Sequence, residues 1–185
     1  MARLMSISLP GAEAAAVGFD TPLAMLAECH RRVEDQCATL QRLLPHLAAH
    51  GPDRAAAEAA TAVLRYFDLA GPKHHADEEA DLFPALLESM AGSDAVCLRE
   101  LTEGLKADHR SFEQQWTGLR AALSEIAAGR PAPLNAAAVD AFCDLYARHI
   151  AREETELLPM AERLIDPAVL AEIGLTMRRR RGEAV

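Results

Sequence analysis

Histidine and glutamate recur in two matching segments of the chain, and both residue types bind metal ions. The segment HHADEEADLFP begins at His74 and the segment HIAREETELLP begins at His149, so both read H-x-x-x-E-E-x-x-L-[FL]-P. Residues four apart lie on one face of an α-helix, one turn from each other. Each segment would therefore point an imidazole and a carboxylate, from Glu78 or Glu153, in the same direction.

Two more histidines, His30 and His109, follow the same 3-4 spacing as the leucines around them. A single histidine on an apolar stripe is more often a core residue than a ligand, and the repeated segments alone would also fit a solvated helix face. Four buried imidazoles and two buried carboxylates, however, cost several kcal/mol per ion unless they are compensated. No lysine or arginine lies on these stripes, so a bound cation is the simplest compensation. The predicted metal ligands are His30, His74, Glu78, His109, His149 and Glu153.

The types of ligand favour some metals over others. The set contains no thiolate, unlike most structural zinc sites, and is too rich in nitrogen for magnesium or calcium. Imidazole with carboxylate suits iron first and manganese second. If Glu78 and Glu153 each bridge, two ions would each receive two imidazoles and two carboxylate oxygens, with room for an exogenous ligand.

These residues must be positioned by long helices, which Pro and Gly delimit. The first helix should start at Asp20-Thr21-Pro22 and stop before His50-Gly51-Pro52, and Gly71-Pro72 should kink or break the second. Ser89 to Ser93 reads as a loop. The later helices are predicted over about 94–128, 135–165 and 168–180. We expect an all-α antiparallel up-down-up-down four-helix bundle at 20–165, an extension at 1–19, and a short helix with a basic tail at 166–185.

Composition restricts the classes of partner. The 185-residue chain has a formal net charge of −9, which argues against nucleic acid and anionic membranes as partners. The basic run from Arg178 to Arg181 is interpreted as a solvated tail or a favourable helix end. Four scattered cysteines favour reduced thiols and a cytoplasmic protein. Residues 1–17 make a poor signal peptide, and no stretch is apolar enough to span a membrane.

The motifs resemble those of the hemerythrin-like, HHE cation-binding family. The resemblance rests on four segments, ECHRR, HHADEEADLFP, DHRSFE and RHIAREETELLP, within Asp20 to about Ile165. It implies a four-helix bundle with two iron ions, an oxo or hydroxo bridge, terminal histidine ligands and bridging glutamates. The roles carried over give His30, His74, His109 and His149 as terminal ligands, and Glu78 and Glu153 as bridges.

Some positions leave alternatives open. His75 and Glu79 form a competing register beside His74 and Glu78. In the preferred register, His75, Glu79 and Glu154 face outward or support the ligands. The third helix has Glu113 where oxygen-carrying hemerythrins have a fifth histidine. Glu113 would either add a third carboxylate ligand or leave one iron more open, and a third carboxylate would disfavour oxygen transport.

The resemblance implies a centre that meets O2, NO or peroxide, in sensing, detoxification or stress response. The sequence leaves open whether the protein is an enzyme. Iron storage or delivery without catalysis is the alternative, and a purely structural bundle is a third reading. The chain shows no separate output segment. A sensing role would therefore need a redox or signalling partner, or would use the short C-terminal helix and its arginines as the output surface.

Overall fold

The computed structural model describes residues 18–90 and 94–183, and this part of the chain is all-α. The first bundle helix is α1, Pro22–His50. The second covers residues 54–89 and comprises α2 (Arg54–Arg65), α3 (Gly71–Asp77) and α4 (Phe83–Ser89), joined by π-helical turns at Tyr66–Ala70 and Glu78–Leu82. The third is α5, Asp94–Ala127. The fourth comprises α6 (Ala136–Arg152), a π-helical turn at Glu153–Leu157 and α7 (Leu158–Leu164). A shorter helix, α8, follows at Pro167–Arg180.

Side-chain caps fix where three of these helices begin. Asp53, Asn135 and Asp166 accept hydrogen bonds from the free backbone N–H groups of α2, α6 and α8, at 2.8, 3.1 and 2.8 Å. Such caps satisfy donors that have no partner within the helix. The connection predicted at Ser89 to Ser93 lies partly outside the described residues: Ser89 ends α4, Met90 is extended, and 91–93 are not described.

The prolines inside the bundle helices do not break them. Pro72, Pro84 and Pro159 each come two residues after the end of a π-helical turn, and the backbone stays right-handed through all three turns. Proline lacks an N–H group, and its ring collides with the carbonyl four residues earlier. Widening the helix to i→i+5 bonding relieves that conflict, so the break considered at Gly71-Pro72 does not occur.

The four long helices close into a ring in which each contacts two neighbours. Helix α1 packs against α2 and α6, and α5 packs against the same two helices. This arrangement is the antiparallel four-helix bundle that the sequence predicts. Its interior holds two apolar clusters. Cluster 1 includes Val33, Phe67, Phe112 and Phe142, and cluster 2 includes Leu26, Leu82, Leu105 and Leu157.

Helix α8 packs against α1 and against the middle of the second bundle helix. Its buried side chains Ile173 and Met177 join cluster 2. Gly174 allows α8 to approach the backbone of Phe19 closely, because a Cβ atom at this position would lie 2.0 Å from the carbonyl oxygen of Phe19.

Residues 1–17, which make up most of the extension expected at 1–19 and were judged a poor signal peptide, lie outside the described part of the chain. No helix among residues 18–90 and 94–183 has the length and apolar character needed to cross a membrane.

Candidate metal centre

A layer of histidine and glutamate separates the two apolar clusters. On α1, His30 lies between Leu26 of cluster 2 and Val33 of cluster 1, and the other three bundle helices repeat this order. The six residues of the layer are each 2% exposed or less: His30, His74, Glu78, His109, His149 and Glu153. The structure therefore brings together the six residues that the sequence predicts as ligands.

Glu78 divides its two oxygens between two histidines on different helices. Its Oε1 lies 3.2 Å from Nε2 of His74, and its Oε2 lies 3.4 Å from Nε2 of His109. Glu153 does the same from the opposite side: its Oε2 lies 2.9 Å from Nε2 of His30, and its Oε1 lies 3.2 Å from Nε2 of His149.

The donor atoms consequently form two groups that share both glutamates. One group contains His30 and His74, the other contains His109 and His149, and within each group the donor atoms lie within 4.8 Å of one another. Two imidazoles and two carboxylates converge in each group. This composition suits a cation in each group, with both carboxylates common to the two.

The second glutamate of each E-E pair orients a histidine on another helix. Oε1 of Glu79 accepts a hydrogen bond from Nδ1 of His109 at 2.6 Å, and Oε1 of Glu154 accepts one from Nδ1 of His30 at 3.1 Å. An Nδ1–H that donates outward leaves the Nε2 lone pair facing the centre, which is how metal-binding histidines are usually held. Glu79 and Glu154 thus support the centre.

Asp108 holds a third histidine and was not identified from the sequence. Its Oδ2 lies 3.4 Å from Nδ1 of His149 and 3.5 Å from the guanidinium of Arg152. Asp108 is adjacent in sequence to His109 but contacts a histidine of the fourth helix instead. Only its place in the DHRSFE segment pointed to it.

A π-helical turn determines the backbone geometry at each of the two central glutamates. Glu78 and Glu153 each begin such a turn, and their carbonyl oxygens accept the i→i+5 bonds from Phe83 and Leu158. Inserting a π turn into an α-helix shifts the register of the residues on either side, and such turns are frequent at functional sites. Here the turn lets both the histidine before it and the leucine after it face the interior.

Several buried polar atoms in this layer make no hydrogen bond of good geometry, although most of them lie 2.9–3.4 Å from an imidazole or carboxylate atom. They are Nε2 of His30, Nδ1 of His74, Oε2 of Glu78 and both carboxylate oxygens of Glu153. Leaving such atoms unpaired is costly, since most buried polar groups in proteins are satisfied. All of these atoms except Nδ1 of His74 face other candidate donor atoms of the layer, as expected of atoms that bind a cation. His74 instead faces the layer with its Nε2 atom. The donor set therefore fits a metal site.

In the metal-free protein, burial and neighbouring charges shift the pKa values of several groups in the layer. Burial lowers the pKa of His30, but the neighbouring carboxylates, Glu153 foremost, outweigh it and raise the pKa to about 9. Burial, together with the charge on His30, lowers the pKa of His74 to about 3. Burial and the charge on Glu153 raise the pKa of Glu78 well above its usual range. Burial also opposes ionisation of Glu153, but His149 and His30 outweigh it and lower its pKa.

The alternative ligands considered from the sequence lie beside the two donor groups. The ring of His75 stacks on that of His109, with centroids 4.0 Å apart and an interplanar angle of 10°. Glu113 is exposed and is not among the grouped donors. Both residues instead line a cavity of about 250 Å³, here called the aromatic cavity, together with Phe112 and Trp116.

The arginine run at the end of α8 is not a solvated tail throughout. Arg180 and Arg181 both pair with the carboxylate of Asp77, which is fully buried, and Arg180 also contacts Asp81 at 2.8 Å. This corrects the interpretation as a solvated tail for these two arginines, whereas their position at the end of α8 agrees with the interpretation as a favourable helix end. Periodicity within one helix cannot indicate a contact between residues about a hundred positions apart.

Comparison with known proteins agrees with the geometry. Residues 21–161 match the family model of the hemerythrin HHE cation-binding domain. An uncharacterized protein of Haemophilus influenzae is 31% identical over 163 residues, covering 88% of this chain and 91% of that protein. The matched residues span all four bundle helices and all six buried donors. The chain belongs to the hemerythrin HHE cation-binding domain family.

Proposed function

We propose that this protein is a cytoplasmic non-heme di-iron protein that binds or reacts with O2, NO or peroxide, in sensing, detoxification or stress response. The observation that carries the proposal is the division of each central carboxylate between two histidine pairs. Glu78 approaches His74 and His109, and Glu153 approaches His30 and His149. A site for a single ion would not need two carboxylates that each face two histidine groups.

Iron is the metal that best suits this mixture of donors, ahead of manganese, and the cofactor would be two iron ions with an oxo or hydroxo bridge. His30 and His74 would hold one ion, His109 and His149 the other, and both glutamates would bridge. When bound, the iron pair would supply ligand binding and one-electron redox chemistry. The protein's own part is to orient the imidazoles through Glu79, Glu154 and Asp108 and to exclude water.

The size and lining of the aromatic cavity suit a small, weakly polar ligand. Its walls are largely apolar, formed by Phe67, Phe112, Trp116, Phe142 and Tyr146. His75 lines the cavity and stacks on His109, so the cavity extends to one edge of the donor layer. A cavity of about 250 Å³ is ample for a diatomic molecule or peroxide. Glu113 lies at this cavity, and not among the donors, which fits an iron with an open position.

Two further features bear on the proposal. Cys29, Cys37 and Cys143 are buried free thiols and Cys97 is an exposed one, which favours a reducing compartment such as the cytoplasm. The near-complete burial of all six donors favours firm retention of the metal. Retention argues against the alternative of iron storage or delivery, which needs ready exchange.

The test is metal content and spectroscopy of the purified protein. We expect about two iron ions per chain and absorption bands from charge transfer to iron. Reduction should bleach these bands, and anaerobic addition of NO, or exposure to O2, should produce new ones. A folded protein that takes up no iron would overturn the proposal. Iron that passes freely to a chelator and responds to neither gas would favour storage instead.

Matched histidine variants locate the centre. His149→Ala should lose iron while retaining helical circular dichroism, whereas His46→Ala should keep its iron, because His46 pairs with Asp53 at the surface. His74→Ala should lose iron and His75→Ala should retain it. Unfolding of His149→Ala in the absence of metal would support the purely structural reading.

A further inference from the structure

A second cavity, here called the basic cavity, lies on a different side of the bundle from the aromatic cavity. Its volume is about 540 Å³, and it is bordered by α1, the second bundle helix and the end of α8. Four cationic side chains line it: Arg32, Arg65, Lys73 and Arg181. Glu183 contributes one carboxylate. Such a local excess of positive charge runs against the net charge of −9 for the whole chain.

The cations of this cavity are incompletely neutralised by the protein. Arg65 and Lys73 form no ion pair with any residue in 18–90 or 94–183. Arg32 contacts Glu28 only loosely, at 3.6 Å, with 60% of its side chain exposed. Converging cations without counter-charges attract anions, and a cavity concentrates the field more than a flat surface does.

Apart from Gln36, the rest of the cavity wall is largely apolar. Met25, Tyr66 and Leu69 line it, and Leu69 is 60% exposed, which is unusual for a large aliphatic side chain in this protein. A ligand for this cavity would therefore combine an anionic group with an apolar body. Binding sites of this kind join a mostly apolar surface to a few placed polar groups.

The second bundle helix forms a π-helical turn where it borders the basic cavity. The π-helical turn Tyr66–Ala70 contains none of the six metal donors, unlike the other two turns, which begin at Glu78 and Glu153. It supplies Tyr66, Leu69 and Ala70 to the cavity wall. The Tyr66 hydroxyl donates a hydrogen bond to the backbone carbonyl of Cys29 at 3.1 Å, which fixes the ring against α1.

From these observations we infer that the basic cavity is a binding site for a small amphiphilic anion, a carboxylate or phosphate monoester with an apolar group. Arg32, Arg65 and Lys73 hold the anionic head, whereas Arg181 stays paired with Asp77. The apolar wall formed by Met25, Tyr66 and Leu69 holds the body. The site is separate from the donor layer and does not depend on which metal the protein carries.

Calorimetry of the full chain with four probes tests this inference: n-hexyl phosphate, hexanoate, inorganic phosphate and hexanol. We expect saturable binding of hexyl phosphate or hexanoate, weakening as NaCl is added. Hexyl phosphate should bind about tenfold or more tightly than inorganic phosphate, because burial of the alkyl chain contributes. The stronger of the two hexyl anions identifies the preferred head group.

Charge-matched variants locate the binding. The double variant Arg65→Ala/Lys73→Ala should weaken binding about tenfold or more, since hydrogen bonds to charged groups are among the stronger ones. The control Arg110→Ala/Arg148→Ala removes the same charge from exposed positions outside the cavity and should change the affinity less than about twofold. His149→Ala should bind the probe as the wild type does, which separates this site from the metal centre.

Three results would overturn the inference. One is the lack of saturable binding by either hexyl anion. Another is equal affinity for hexyl phosphate and inorganic phosphate, which would remove the role of the apolar wall. The third is equal weakening in the cavity variant and its control, which would mean that the anion responds only to overall charge.

Discussion

The two glutamates of each E-E pair make different contacts, because successive residues of a helix point in different directions. Successive residues of a helix point about 100° apart. Glu78 therefore faces the donor layer while Glu79 reaches the imidazole of His109 on the third bundle helix. Glu153 and Glu154 repeat the arrangement with His30 on α1. Each repeated segment thus supplies a donor and the support for a histidine of a different helix.

Replacing the supporting carboxylates should weaken metal binding without abolishing it. Glu79→Gln and Glu154→Gln should each lower metal affinity about 10–100-fold, because the orientation and basicity of His109 and His30 depend on these hydrogen bonds. Competition with a coloured chelator measures the change. Glu156→Gln is the control, an exposed position in the same π-helical turn as Glu154. Equal affinities for all three variants would show that the hydrogen bonds have no such role.

Metal binding near neutral pH should release protons. In the metal-free protein His30 has a pKa raised to about 9, so it is protonated at pH 7, whereas a metal needs its neutral ring. The affinity for metal should therefore increase as the pH rises from 7. The contribution of His30 to this increase should level off above about pH 9. Anaerobic calorimetry with Mn²⁺, in buffers of different ionisation enthalpy, counts the protons. A binding heat that is the same in every buffer would contradict this expectation.

At the scale of elements, α8 is tied to the helix segment that carries His74 and Glu78. Asp77 lies between these two residues in sequence, is fully buried, and pairs with Arg180 and Arg181. Breaking a buried ion pair from one side leaves an uncompensated charge, which costs more than the pair itself contributes. Helix α8 is therefore part of the support of the second bundle helix.

The variant Arg180→Ala/Arg181→Ala should lose about 3–5 kcal/mol in the free energy of unfolding, because Asp77 would be left buried without a cation. Urea unfolding of the metal-free proteins measures the loss. Arg179→Ala is the control on the same helix, exposed and outside this cluster, and should change stability by less than about 0.5 kcal/mol. Similar stabilities for the variant and its control would show that water replaces the arginines without cost.

At the scale of the whole molecule, the polar layer is enclosed between two apolar clusters. Cluster 1 and cluster 2 each contain residues from the four bundle helices, and cluster 2 also contains residues from α8. Burial of this apolar surface stabilises the bundle whether or not a metal is bound. The buried polar atoms without partners lower that stability until a cation satisfies them.

Removing the metal should leave the helices in place and lower the melting temperature. A ligand at 1,000 times its dissociation constant stabilises the folded state by about 4 kcal/mol. For a chain of this length the shift is roughly 10 °C. Circular dichroism before and after chelation gives both the helix content and the melting temperature. His149→Ala should melt at one temperature with or without metal. Loss of helix on chelation at 25 °C would show that the clusters alone do not hold the bundle.

The sequence by itself predicted the helices, their inward faces and the six candidate donor residues, because these are properties of single helices. Apolar residues at 3-4 spacing define the inward stripe, and i,i+4 pairs place His74 with Glu78 and His149 with Glu153 on it. Short loops between the helices predicted their up-down-up-down order. The family resemblance assigned terminal roles to the histidines and bridging roles to the glutamates.

Only the tertiary structure decided which helix each supporting group reaches. The contacts of Glu79 with His109, of Asp108 with His149 and of Asp77 with Arg181 all join different helices. Such contacts depend on the distance and rotation between packed helices, which periodicity along one helix does not encode. The same holds for the basic cavity, whose charges are brought together by the packing of α1, the second bundle helix and the end of α8.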